Sequence, residues 1–122
     1  MRLYTEEEKT KRVKRELSRL RRLFKELPKD KKQAAEGLMT EAAFMRVTLE
    51  ETRAIIDREG VIELFVQGAQ SLLREHPATK VYASMVNRYV AVYKQLLSFL
   101  PDEAQASGAD ALMEFVKAKQ RA

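Results

Sequence analysis

The sequence predicts a mainly α-helical protein in an oligomeric assembly: an antiparallel pair of long helices, a small β-hairpin, a third long helix and a short C-terminal helix. Three observations carry that reading. Apolar residues recur at steps of three and four through most of the chain, the spacing that lines up side chains on one helical face. The period is lost between Gly60 and Pro77. Proline or glycine stands at each place where a seam stops or starts, at Pro28, Gly60, Pro77 and Pro101.

The first helix is expected over about residues 5–27. Thr5 followed by Glu8 has the form of a capping box, and the acids Glu6, Glu7 and Glu8 suit the positive end of the helix dipole. Val13, Leu17, Leu20, Phe24 and Leu27 form a narrow packing seam, which Pro28 ends because proline disfavours a helical residue before it. Asp30 is the expected N-cap of a second helix, with Ala35, Leu38, Ala42, Met45, Leu49, Thr52 and Ile56 as its seam and Gly60 as its stop. The short connection at Pro28–Lys29 makes the two helices antiparallel neighbours. Gly37, costly inside a helix, is read as a point of close helix approach.

Val61, Ile62, Leu64, Phe65 and Val66 are a β-prone run followed by Gln67-Gly68 and then Ala69–Leu73, which predicts a hairpin near 61–73. Two strands are marginal on their own, so this hairpin must pack on the helices or join strands of neighbouring subunits. Pro77 opens a third helix after His76 and Pro101 closes it. Its apolar arc is wide: Val81, Met85, Tyr89, Val92, Leu96 and Phe99 form one row, with Tyr82, Val86, Tyr93, Leu97 and Leu100 beside it. One antiparallel partner does not cover such an arc, which points to a central helix or a subunit interface; on the second reading Val81, Tyr82, Met85, Val86, Tyr89 and Tyr93, with Phe65 of the hairpin, are assigned to oligomerisation. A polar link, Asp102–Gly108, leads to an amphipathic end carrying Ala109, Leu112, Met113 and Val116 and finishing in Lys117, Lys119 and Arg121. Residues 1–101 are thus expected to form one helical oligomerisation domain, and residues 102–122 a linker and a short helix.

A chain of 122 residues with 45% apolar content can bury one core without a disulfide or a metal. It has no cysteine, which removes thiolate catalysis and thiolate metal sites, and it shows neither a signal-peptide pattern nor a membrane-length apolar run. The expected setting is soluble and intracellular. The net charge of +5 is uneven: residues 1–32 carry 13 Lys/Arg against six Asp/Glu, and residues 33–122 carry 10 against 12. The basic surface therefore belongs to the first helix. Arg12, Arg15, Arg19 and Arg22 lie on one face, opposite the apolar seam and with no acid expected in the stripe. Lys11, Lys14, Arg21 and Lys25 widen it. Charge alone does not choose among nucleic acid, an anionic membrane surface and an acidic protein as its target; if the target is DNA, these eight residues are the candidate contacts.

Little in the chain suggests catalysis. His76 beside Pro77 reads as a capping or surface group, and the adjacent acids in Glu50-Glu51 and Asp102-Glu103 diverge by about 100° on a helix. None of the four glycines begins a phosphate-binding loop. No enzymatic activity, cofactor or metal is expected.

The segments Leu38-Met39-Thr40-Glu41-Ala42-Ala43-Phe44-Met45-Arg46-Val47-Thr48-Leu49-Glu50-Glu51, Asp57-Arg58-Glu59-Gly60-Val61 and His76-Pro77-Ala78, followed by Lys94-Gln95-Leu96-Leu97 and Leu100-Pro101, resemble the small terminase subunits of tailed phages and prophages. The resemblance spans about residues 5–101. It implies a helical, ring-forming homo-oligomer in the host cytoplasm that binds double-stranded viral concatemer DNA. Such a ring presents that DNA to the large terminase subunit, which has the ATPase and nuclease activities for genome packaging. Many members of that family place a helix-turn-helix before the oligomerisation helices, whereas here a long basic helix begins at residue 5. The resemblance does not include the C-terminal helix, which by analogy is a candidate contact for the large subunit. The alternative function is a helical adaptor or scaffold that binds an acidic protein and no DNA.

Overall fold

The computed structural model describes residues 2–120. It is mainly helical, with elements in the order α1 (Glu6–Leu23), α2 (Lys29–Glu59), β1 (Ile62–Gln67), β2 (Gln70–Glu75), α3 (Pro77–Leu97) and α4 (Asp102–Gln120). Arg121 lies outside the described residues. Among those residues no helix is long and apolar enough to cross a membrane.

The Thr5 hydroxyl caps α1 by accepting from the Glu8 N–H at 3.1 Å, as the sequence predicts. The helix ends four residues earlier than expected. Its last turn opens at Phe24, where the Leu27 N–H donates to the Phe24 carbonyl at 3.2 Å, and this places Phe24 and Leu27 together in the core. Pro28, not Asp30, precedes the first turn of α2: its extended backbone (φ −57°, ψ 153°) aims its carbonyl at the Lys32 N–H, 2.9 Å away. Asp30 then serves the dipole from within the first turn.

The 31 residues of α2 form the spine. Contacts from Arg21 to Glu36 and from Lys9 to Glu51 run in opposite senses along α1 and α2, so the pair is antiparallel. The Arg46–Tyr89 contact joins α2 to α3, and α4 folds back so that Phe115 meets Tyr89 at 5.5 Å between ring centroids. Because α2 is covered by two neighbours, its buried set (Ala35, Met39, Ala42, Ala43, Val47, Leu49 and Ile55) is broader than the single seam expected. Leu20, Phe24, Tyr89 and Leu96, each at most 1% exposed, stand at the centre of the core.

Three expectations fail against this packing. Tyr89 and Tyr93, assigned to oligomerisation, are 0% and 2% exposed within a single chain and are consumed by its own core. The wide arc of α3 is explained along its C-terminal half by coverage from α2 and α4 at once. The link 102–108 is helical: Pro101 precedes it, Asp102 and Glu103 occupy its first turn, and α4 is a 19-residue helix. Gly108, placed in the linker by the sequence, is the close helix approach, since a Cβ there would overlap the Leu97 side chain. A Cβ at Gly37 would meet nothing within 4 Å, so that residue marks no contact.

The hairpin closes one residue later than expected and runs to Glu75, pairing Leu64 with Leu73 and Phe65 with Leu72. Gly68 takes φ +62° and Ala69 does not share a positive φ, the pattern of a type II′ turn. His76 joins hairpin and helices. It is fully buried, its N–H donates to Val61 at 2.8 Å, its Nδ1 accepts from the Ala78 N–H at 3.1 Å, and its Nε2 lies 3.0 Å from Glu59. The residue is a cap, as expected, but not a surface one.

Candidate polyanion-binding groove

Arg12, Arg15, Arg19 and Arg22 come from successive turns of α1 and line one groove of about 370 Å³. The opposite wall is α2, which adds Arg46 and Glu50. Phe24 and Leu20 fix the helix on its far side, so the arginine face cannot rotate inward without exposing the core. The remaining candidates divide. Lys14 lines a separate apolar groove with Val13 and Phe44, while Arg21 and Lys25 line a third with Phe24, Lys32 and Glu36. Lys11 is exposed to solvent. Of the eight proposed DNA contacts, four therefore line this groove, together with a fifth guanidinium from α2.

The expectation of an acid-free stripe is wrong. Glu16 follows Arg15 and faces the groove, where it binds Arg19 through two hydrogen bonds of 2.8 and 2.7 Å. That fork is the main reason the Arg19 pKa is held above its ordinary value, with burial opposing it. Glu16 also lies 3.8 Å from the Arg46 Nε. On the adjacent face Arg21 pairs with Glu36, which likewise raises its pKa. Among the described residues, Arg15 and Arg22 have no carboxylate within 4.0 Å, nor does Arg12, whose guanidinium stacks 4.1 Å from the Tyr4 ring centre. The groove thus carries five guanidinium groups against the carboxylates of Glu16 and Glu50. Arg12, Arg15 and Arg22 offer unpaired forks that fit phosphate or carboxylate oxygens.

Two residues missed by the sequence reading complete the site. Arg46 stacks 4.1 Å from the centre of Phe115 and reaches the Tyr89 hydroxyl at 3.4 Å. Glu51 is 8% exposed and holds the segment before α1: the Leu3 and Tyr4 N–H groups donate to it at 3.2 and 2.9 Å, and Lys9 lies 3.4 Å away. It thereby sets the Tyr4 platform under Arg12. The divergence expected of Glu50 and Glu51 accounts for this division, one facing the groove and the other the N-terminal segment.

A second surface stands apart from the helices. On one face of the hairpin Ile62, Leu64, Val66 and Leu73 are 60%, 63%, 62% and 71% exposed. On the other face Arg74 pairs with Glu63 at 2.7 Å and stacks 4.1 Å from the Phe65 ring centre. Val81 at the start of α3 is 44% exposed, and Tyr82, Met85 and Val86 are half-buried. Comparison with known protein families, curated proteins and solved structures finds no match to this chain.

Proposed function

We propose that the chain is a non-catalytic, DNA-binding packaging subunit of the small terminase type, and that its α1–α2 groove holds double-stranded DNA by its phosphates. The observation that carries this reading is the groove itself, where Arg12, Arg15 and Arg22 stand without a carboxylate partner among the described residues. Guanidinium forks on one helical face match the repeating phosphates of a duplex without reading bases, so binding is independent of sequence. Copies associate through the apolar face of the hairpin, made by Ile62, Leu64, Val66 and Leu73, and the exposed start of α3, with Val81, Tyr82, Met85 and Val86 retained from the sequence assignment; Phe65, on the opposite face of the sheet against Arg74, and the core residues Tyr89 and Tyr93 are withdrawn. Several copies in a ring multiply a weak single-site attraction through effective concentration. The large terminase subunit is the proposed recipient of the bound DNA and the host cytoplasm the proposed setting.

Salt-titrated DNA binding tests this reading. A subunit that neutralises about six phosphates loses roughly a thousandfold in affinity between 50 and 200 mM salt. The triple change Arg12→Glu, Arg15→Glu, Arg22→Glu should reduce the salt slope by about 2.7 and remove DNA retention at physiological salt. Retention unchanged by that variant refutes the assigned face. Binding to polyglutamate but not to duplex DNA would favour the adaptor reading instead.

A further inference from the structure

We propose that α4 restrains this groove: Phe115 holds Arg46 away from an incoming polyanion, and release of α4 strengthens binding. The proposal rests on the groove being the polyanion site and concerns its regulation.

Arg46 is held by three elements at once. One face of its guanidinium lies against Phe115 of α4, 4.1 Å from the ring centre; its Nη1 donates to the Tyr89 hydroxyl of α3 at 3.4 Å; and its Nε is 3.8 Å from Glu16 of α1. The same side chain lines the groove, yet it is only 25% exposed. A phosphate that recruits Arg46 must therefore compete with the aromatic stack and with Glu16. Glu16 cannot follow Arg46 outward, because its side chain is 10% exposed and its carboxylate is already bound at both oxygens to Arg19.

The restraint depends on α4 remaining docked, and α4 is lightly attached. Within residues 102–117, Leu112 and Phe115 are buried and Val116 packs half-buried beside them, with Gly108 set against Leu97. Phe115 thus anchors the helix and stacks on Arg46 with the same ring, so whatever lifts α4 removes the stack. Linkage makes the effect mutual: a polyanion that draws Arg46 into the groove loosens α4 by the same factor. A partner that captures α4 would tighten the hold on the polyanion.

The test uses the full chain and Phe115→Leu, which fills the core site without a ring; Phe115→Met is a second variant of the same logic should the first not keep the helical circular dichroism. Without any polyanion, solvent exchange of the Arg46 Nε–H, followed by nuclear magnetic resonance, should accelerate in the variant while that of Arg19 stays unchanged. With a duplex DNA probe, affinity should rise about two- to fivefold, and the salt slope should steepen by about 0.9. In an Arg46→Gln background, Phe115→Leu should bring no further gain. Unaltered Arg46 exchange, weaker DNA binding, or an equal gain in both backgrounds overturns the restraint. DNA binding absent from every protein overturns the function proposed above, and the exchange measurement still decides whether Phe115 holds Arg46.

Discussion

The helical body and the hairpin treat apolar residues in opposite ways. In the body, Leu20, Phe24, Leu49, Tyr89 and Leu96 are each at most 1% exposed, and α1 and α3 close over α2, with α4 packed on α3, within one chain. In the hairpin, Ile62, Leu64, Val66 and Leu73 are 60–71% exposed on a two-stranded sheet with free outer edges among the described residues. A lone pair of strands is marginal in water, and an apolar face of this kind is a surface for association. The difference teaches where stability should depend on concentration. The body should hold at any dilution, whereas the hairpin, on the proposed assembly, is completed by another copy.

If the body is self-sufficient, its core residues should dominate unfolding. Phe24→Ala should cost about 3–5 kcal/mol in urea denaturation of the dilute chain; a cost under about 1 kcal/mol would show that the core seen around α1 does not stabilise the fold.

The next largest effect is a pH response. Burial first, partly offset by Arg46, pushes the Tyr89 pKa up to about 12. The folded state therefore favours the neutral phenol, whose unfolded pKa is about 10. That stabilisation is complete below pH 10 and is lost as pH rises through 12, a loss of about 2–3 kcal/mol. Tyrosinate absorbance checks it: one tyrosine should resist ionisation until the chain unfolds, and Tyr89→Phe should flatten the alkaline limb of stability.

Smaller still is the hold on the start of α1. Glu51→Ala removes the acceptor of two backbone N–H groups and should cost about 1–2 kcal/mol, with faster amide exchange confined to residues near Tyr4. The smallest effect on the body should come from the hairpin. Leu64→Glu with Leu73→Glu should move the unfolding of the dilute chain by about 0.5 kcal/mol or less. A large shift would mean that the sheet is part of the core after all.

The elements were legible because local chemistry marks them: Thr5 and Glu8 cap α1, Pro77 follows a capping His76, and the loss of period after Gly60 locates the strands. Coverage was less legible. Two apolar rows on α3 fit a subunit interface or two neighbours in one chain, and nothing local chooses; the choice was made by α4, whose first turns read as a linker because Ala, Gln, Ser and Gly carry no seam. The site was half visible. Arginine spacing on α1 gave the wall that bears the stripe, but Glu16, four residues after Arg12 and three before Arg19, shares that wall and was passed over. Arg46 could not be placed there by sequence, since its role depends on the antiparallel registry of α2 against α1 and on the return of Phe115. Glu51 escaped for a related reason, being a buried acid that serves backbone donors about 47 residues away.

The division between a closed body and an incomplete hairpin is tested most directly by the mass of the native particle, measured for the wild-type chain, for Leu64→Glu with Leu73→Glu, and for the Arg12, Arg15 and Arg22 glutamate variant at one concentration. The account predicts a multiple of the 14.1 kDa chain for the wild type and the arginine variant, and a folded monomer for the hairpin variant. A wild-type chain that stays monomeric, or an oligomer that survives charges on the hairpin face, would contradict it.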